Sequence, residues 1–369
     1  MPPPFLIPPQ VRRILVGGIG AVGNTLLAGP MLALLHERFP EAEIRMAFKS
    51  SRGGKLALPH FVRRNRSYVF SLSAGPWHGL RDVLAAACWR PDLIVVPFLT
   101  HGRAMQLVAA CSPASTLLYH SGGRLRYPGR RQLEVPLSRE RHETELYLSL
   151  VQPVTGAATI EEPLSGASFA ADAADRRLAG DLWAAAGLTG RQAVAFNPFS
   201  SAGQAWKRWD TPQWDTFLDG LSAAGFMPVL ISSPEEARLL QDWPALLQRR
   251  RFHVSLGVSA ELISHCRLAV SCDTGFGHLA AACGVPALVL FGPTDERRAR
   301  PWGRQHQILI RDLPCRPCYG LGGGGQAASC SHRSCMAHAP ETVLAAALRM
   351  LASPRSSDIS LPTTTNDHE

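Results

Sequence analysis

The chain has 369 residues, 46% of them apolar and 18% charged, and carries a net charge of +9. That length exceeds one ordinary hydrophobic core and suits two domains, and the composition excludes a disordered chain. No apolar run of about 18 residues occurs, so no membrane span is expected. The basic residues are dispersed, nearly all are arginine, and no nucleic-acid motif accompanies them, which argues against nucleic acid as a partner.

The N-terminal stretch Met1 to Pro9 is rich in proline and lacks the basic start and apolar core of a signal peptide. A cytoplasmic location is therefore expected. A basic surface would let the protein reach anionic lipid or phosphorylated substrates, so peripheral contact with the inner face of the cytoplasmic membrane is expected too.

In chain order, Arg13 to Val16 reads as a strand, followed by a glycine-rich turn from Gly17 to Gly23. An apolar helix is expected from Thr25 to Arg38, stopped by Pro40, and then a strand from Ile44 to Phe48. Leu93 to Pro97 reads as a buried strand, Arg103 to Cys111 as a helix and Ser115 to Tyr119 as a strand. The stretch Val154 to Asp175, rich in Ala, Ser, Gly and Pro, reads as a connection. The pattern then restarts, with strands at Ala193 to Phe196, Met227 to Ile231, Leu268 to Ser271 and Ala287 to Phe291. Helices are expected at Gln213 to Ala224, Ala260 to His265, His278 to Cys283 and Val343 to Leu351. This alternation predicts an α/β fold: a Rossmann-like doubly wound domain over residues 1–175, a second over 176–352, and a polar, disordered tail over 353–369. Ligands are expected in the cleft between the domains, at the carboxyl ends of the strands.

Gly18-Ile19-Gly20-Ala21-Val22-Gly23 spells the dinucleotide-binding G-x-G-x-x-G. The acid that would hold a ribose at the end of the second strand is missing, since that strand ends in Phe48-Lys49. The loop also approaches a P-loop, but Asn24 stands where the phosphate-binding lysine is required. What remains is a tight turn at a helix N-terminus, with glycines that serve either close packing or substrate contact by Gly20, Gly23, Asn24 and Thr25.

A stronger signal is Ser271-Cys272-Asp273-Thr274-Gly275-Phe276-Gly277-His278, where a strand runs through a turn into a helix. Asp273 and Thr274 suit N-cap positions, and the free N–H groups beyond them would bind an anion. His278, in the first turn, reads either as a further phosphate donor or as a satisfied core histidine. Gly292-Pro293-Thr294 ends the next strand on the same sheet edge. Ser200, Ser201 and Gly203 form a loop before Lys207, one of only three lysines, whose ammonium could neutralise a leaving diphosphate or simply sit in solvent.

Together these segments resemble glycosyltransferase family 9, the ADP-heptose:lipopolysaccharide heptosyltransferases, over roughly residues 12–350. The resemblance rests on Ile14-Leu15-Val16, Gly20-Ala21-Val22-Gly23 and Pro30, Lys207-Arg208-Trp209, Asp273-Thr274-Gly275 with His278-Leu279-Ala280-Ala281-Ala282, Phe291-Gly292-Pro293-Thr294-Asp295, and Pro314-Cys315-Arg316-Pro317-Cys318. It implies a GT-B architecture and an inverting transfer that requires no cofactor or metal. It implies a nucleotide-diphosphate sugar donor, ADP-linked, held in the C-terminal domain by Lys207, Asp273, Thr274, Gly275 and His278, with Glu235 or Glu236 on the ribose or base. It also implies a lipid-linked or lipopolysaccharide-type acceptor facing the N-terminal domain.

One position departs from the family. Heptosyltransferases usually carry an aspartate after the last glycine of the loop, where it looks like the general base; here the residue is Asn24, whose amide cannot usefully accept a proton. His101 and Asp92, near a strand, are the alternative bases expected from the sequence. The competing readings are a nicotinamide-dependent oxidoreductase and a catalytically silent relative that binds nucleotide-sugar. Finally, Cys315, Cys318, Cys330 and Cys335 could hold a structural zinc, or stand as free thiols.

Overall fold

The computed structural model describes residues 10–17, 21–48, 67–69, 76–98, 102–120, 131–138, 140–156, 162–163, 168–188, 192–243, 250–320 and 326–353. They form two six-stranded sheets in which every pairing is parallel.

The first sheet contains β1 (Arg13–Gly17), β2 (Glu43–Phe48), β3 (Ser67–Val69), β4 (Leu93–Val96), β5 (Thr116–His120) and β6 (Arg131–Val135). Its order is β3-β2-β1-β4-β5-β6. The second contains β7 (Ala193–Asn197), β8 (Met227–Ser232), β9 (Arg250–His253), β10 (Leu268–Cys272), β11 (Ala287–Phe291) and β12 (Gln307–Ile310), in the order β12-β11-β10-β7-β8-β9. Read from β9, the second order repeats the first, so both are doubly wound sheets. The central strands are apolar runs because helices cover both faces: Ile14, Leu15 and Val16 of β1 and Leu268 and Val270 of β10 are fully buried.

The helices are α1 (Val22–Leu27), α2 (Gly29–Arg38), α3 (Pro76–Cys88), α4 (Gly102–Ala110), α5 (Glu143–Thr155), α6 (Ala173–Ala185), α7 (Thr211–Ala223), α8 (Leu256–Ser264), α9 (Gly275–Ala282), α10 (Glu296–Ala299) and α11 (Pro340–Ala352). The single helix expected from Thr25 to Arg38 is two, joined at Ala28, because Pro30 stands in the first turn of α2 and has no N–H to continue the ladder of α1. The expected connection is shorter than its composition suggests. Val154 and Thr155 still belong to α5, and α6 begins at Ala173 and packs on α8 of the second sheet.

Each sheet edge is locked to the other domain. Val22 and Leu26 of α1 pack against the core cluster of the second domain. Trp302, between β11 and β12, packs in the core of the first. Ser168 and Phe169 both donate backbone N–H bonds to the Ala282 carbonyl at 2.8 Å. The carboxyl ends of β1 and β10 therefore face each other across a shared junction. Among the described residues no helix is long and apolar enough to cross a membrane.

Candidate functional site

The centre of the site lies at the switch point of the second sheet, between β7 and β10. β7 leads into a 3₁₀ segment, Ala202–Lys207, and β10 delivers Asp273 at its exit. Lys207 Nζ donates to Asp273 Oδ2 at 2.6 Å, with the two side chains only 9% and 7% exposed. A pair this dry gains Coulomb energy only by offsetting desolvation, and removing one partner costs about 3–5 kcal/mol. The ammonium also lies 5.1 Å from the Tyr319 ring centroid and 5.6 Å from that of Trp206. Tyr319 is held in turn, its hydroxyl accepting from Gln204 Nε2 at 3.1 Å. Lys207 is thus fixed on three sides and is not a solvated surface lysine.

Thr274 caps α9, its hydroxyl accepting from Phe276 N at 3.4 Å. The N-terminus of α9 meets the N-terminus of α1 from the other domain. A Cβ placed on Gly275 would lie 3.6 Å from Gly23 N, and one placed on Gly23 would lie 2.9 Å from His278 Cδ2. Glycine at position 23 is therefore required by a close approach between domains. His278 is buried in this junction, its Nδ1 has no hydrogen-bond partner among the described residues, and burial lowers its pKa to about 4. It is a neutral imidazole near neutral pH.

The third group of residues comes from the first domain. Asn24 Nδ2 donates to Glu143 Oε2 at 2.9 Å, across 119 residues of sequence. Glu143 opens α5 and is buried. Burial raises its pKa; Arg298 of α10 and the Asn24 amide oppose that rise, Asp273 adds to it and Lys207 opposes it. Two cations, two carboxylates and one amide from both domains thus share one poorly solvated junction, with the dipole of α9 directed at it.

The family model described as Glycosyltransferase family 9 (heptosyltransferase) matches residues 127–322, just over half of the chain. The chain belongs to glycosyltransferase family 9. Lipopolysaccharide heptosyltransferase 3 of Escherichia coli (strain K12) is 27% identical over 305 residues, covering 76% of this chain and 82% of that protein. Lipopolysaccharide heptosyltransferase 1 of Pseudomonas aeruginosa is 46% identical over 65 residues, and the chain spans only 18% of its length. The structure of E. coli ADP-heptose LPS heptosyltransferase II superposes with a TM-score of 0.66 at 18% identity, covering 92% of this chain and 98% of that one, a likeness of fold. The GT-B expectation agrees with these neighbours and with the paired sheets.

The remaining expected residues of this family 9 chain fall into three groups. Ser200 is buried and bonded within its own loop, donating to the Gln204 carbonyl at 2.9 Å and accepting from Arg208 Nε at 3.0 Å. Ser201 is exposed at the start of the 3₁₀ segment and makes no side-chain cap bond. The Gly292, Pro293 and Thr294 carbonyls all serve the Cys315–Tyr319 loop: Gly292 and Thr294 accept from Arg316, and Pro293 accepts from Cys318 N and Tyr319 N. That seating carries Tyr319 to Lys207, a role no local motif announces.

Several expectations need correcting. Thr25 is buried and its hydroxyl donates to the Ala21 carbonyl at 3.0 Å, a bond within its own helix. Asp92 precedes β4, so it sits at the amino edge of the sheet, opposite the site, where Oδ2 accepts from Arg12 N and Arg13 N at 2.9 Å each. It is positioned to tie strands together and is too remote to act as base. Glu235 is exposed, whereas Glu236 turns inward: its Oε2 accepts from Asn197 Nδ2 at 3.3 Å and Ser233 N at 2.9 Å at the ends of β7 and β8. Gly20 and His101 lie outside the described residues.

Cys315 is exposed, Cys318 and Cys330 are half-buried and Cys335 is buried. Burial raises the pKa of Cys318 and of Cys335, and the neighbouring thiols of the quartet raise both further. Among the described residues no group of three or more His, Cys, Asp or Glu side chains is arranged to hold a metal ion.

Proposed function

We propose that this chain is an inverting, metal-independent glycosyltransferase that moves heptose from ADP-heptose onto a lipopolysaccharide core or a related lipid-linked surface glycan. The observation that carries this reading is the buried Lys207–Asp273 pair at the capped N-terminus of α9, facing Gly23 and Asn24 of the opposite domain. A diphosphate at that helix end would take N–H bonds from the turn, favourable helix polarity and the Lys207 ammonium, with Arg298 as a second cation. Those groups neutralise a leaving diphosphate as a metal would elsewhere, which supports a transfer without one.

In this reading residues 1–175 offer the acceptor surface and residues 176–352 hold the donor. An acceptor hydroxyl arriving from the side of Asn24 meets the anomeric carbon opposite the diphosphate, and single displacement from that side inverts the centre. ADP-heptose and lipopolysaccharide are taken from the names of the relatives. Because the acceptor would be anchored in lipid, the protein would work at the cytoplasmic face of the inner membrane. Glu236, at the ends of β7 and β8, replaces Glu235 as the residue for the donor ribose or base.

The reading is tested by a thermal-shift comparison of ADP, UDP, GDP, dTDP and NADH, since a ligand that binds only the native state raises its melting temperature. A rise with ADP is expected; a rise with NADH alone overturns it in favour of an oxidoreductase. On their Cys-x2-Cys spacing, Cys315, Cys318, Cys330 and Cys335 stand either as free thiols or as ligands of a structural zinc. About one zinc per chain in fresh protein is expected on the zinc reading, and its absence removes the site.

A further inference from the structure

Glu143 is buried where both domains meet, and its surroundings hold it firmly. The preceding residue, His142, accepts from Thr144 N through Nδ1 at 3.2 Å, and its Nε2 lies 2.9 Å from the Arg300 carbonyl of the second domain. The His142 ring packs on Trp302 with centroids 4.8 Å apart. Thr144 donates to the Leu27 carbonyl of α1 at 3.1 Å. The first turn of α5 is therefore clamped to α1 on one side and to the β11–β12 loop on the other.

A buried carboxylate is costly unless its charge is used. The bond to Asn24 does not require one, because a glutamine could accept the same Nδ2–H. Asn24 itself has no proton-accepting capacity of use, having only a neutral amide. The carboxylate that this corner of the junction can offer to a hydroxyl is that of Glu143, in hydrogen-bond contact with the residue that follows the glycine turn.

We infer that Glu143 is the general base of the transfer, and that Asn24 orients its carboxylate. The inference rests on the glycosyltransferase reading above. In the step it performs, the acceptor oxygen forms a bond to the anomeric carbon while the bond from that carbon to the donor diphosphate breaks. The bonding pair leaves with the nucleoside diphosphate, and the acceptor hydroxyl proton passes to the Glu143 carboxylate. The charged groups that act on Glu143 are Arg298 from α10 and Lys207 and Asp273 from the second sheet edge; Tyr147, one turn along α5, is a neutral phenol whose pKa burial and Glu143 both raise. Burial raises the pKa of Glu143 and so makes it a stronger base than an exposed carboxylate, while the two cations oppose that rise.

The test compares wild type, Glu143→Gln, Asn24→Asp and the double variant Asn24→Asp/Glu143→Gln, using ADP-heptose and heptose-deficient lipopolysaccharide for transfer and ADP for thermal shift. Glu143→Gln is isosteric and keeps the bond to Asn24, so folding and the ADP-induced shift are expected to match wild type. Its kcat is expected to fall by about 100-fold or more with little change in the donor KM, and the acid limb of the pH–rate profile should disappear. The double variant, with its carboxylate moved to position 24, should recover at least about tenfold of that loss. The inference is overturned if Glu143→Gln keeps its acid limb with near wild-type kcat, if it loses the ADP shift as well, or if the double variant recovers nothing. A wild-type protein that shows neither transfer nor an ADP shift overturns the glycosyltransferase reading itself, a result recognisable without any variant.

Discussion

Lys207 Nζ and Asp273 Oδ2 are 2.6 Å apart in a poorly solvated setting, although 66 residues separate them in sequence. The contact joins the segment after β7 to the exit of β10, so it reports the integrity of the site directly. Lys207→Ala leaves Asp273 buried without its counter-charge, and a stability loss of about 3–5 kcal/mol is expected by urea denaturation. Lys207→Ala/Asp273→Asn should recover part of that stability while transfer stays reduced about 100- to 1000-fold. A double variant that recovers both would show that the pair serves folding alone.

Gly23 is set by its neighbour His278. Gly23→Ala places a methyl 2.9 Å from His278 Cδ2, inside van der Waals contact, and the junction must open or the ring must move. A loss of about 1–3 kcal/mol is expected. Adding His278→Ala makes room and should return most of it, giving a coupling energy well above zero in a double-mutant cycle. Additive effects would show that the domains are not in contact here in solution.

Acid sensitivity follows from the buried histidines. His142 and His278, with His120, His306 and His338, have pKa values lowered by burial from 6.5 to about 4. Between those values the unfolded chain binds protons that the native protein does not, so native stability rises with pH across pH 4 to 6.5 and levels off above it. Falling pH removes up to about 1.4 kcal/mol per unit for each such group. Urea midpoints measured across this range should climb steeply, and His278→Gln should flatten the slope by about one proton.

Tyr319 separates packing from hydrogen bonding at the lysine. Tyr319→Phe loses only the bond from Gln204, worth about 1 kcal/mol, and should leave the ADP-induced thermal shift nearly intact. Tyr319→Ala removes a ring 5.1 Å from the ammonium and should weaken ADP binding several-fold. Equal effects of the two variants on ADP binding would assign Tyr319 to the hydroxyl alone.

The two glutamates after β8 give a control on the same surface. Glu235→Ala, on an exposed side chain, should change stability by no more than about 0.5 kcal/mol. Glu236→Ala strips the acceptor from Asn197 and Ser233 and should cost about 1–3 kcal/mol in urea denaturation.

The amino-acid sequence by itself determined the doubly wound architecture. The strands β1, β7, β10 and β11 carry apolar runs, Ile14 to Val16, Ala193 to Phe196, Leu268 to Val270 and Ala287 to Phe291, because both of their faces are covered, and that pattern is local. The turn at Asp273-Thr274-Gly275 was equally readable, since a strand, a cap and a helix are contiguous there. Proline in the first turn of α2 was visible too, and it accounts for the division of the expected helix at Ala28. Tertiary structure alone decided the partners of the site. Glu143 meets Asn24, Tyr319 meets Lys207 and His278 meets Gly23 across long intervals of chain, the last of them across the domain junction. Helical and strand periodicity encode which face of an element is buried and carry no record of what lies opposite. Asp92 shows the converse: the sequence placed an acid near a strand, and only the direction of β4 in the sheet put that acid at the end away from the site.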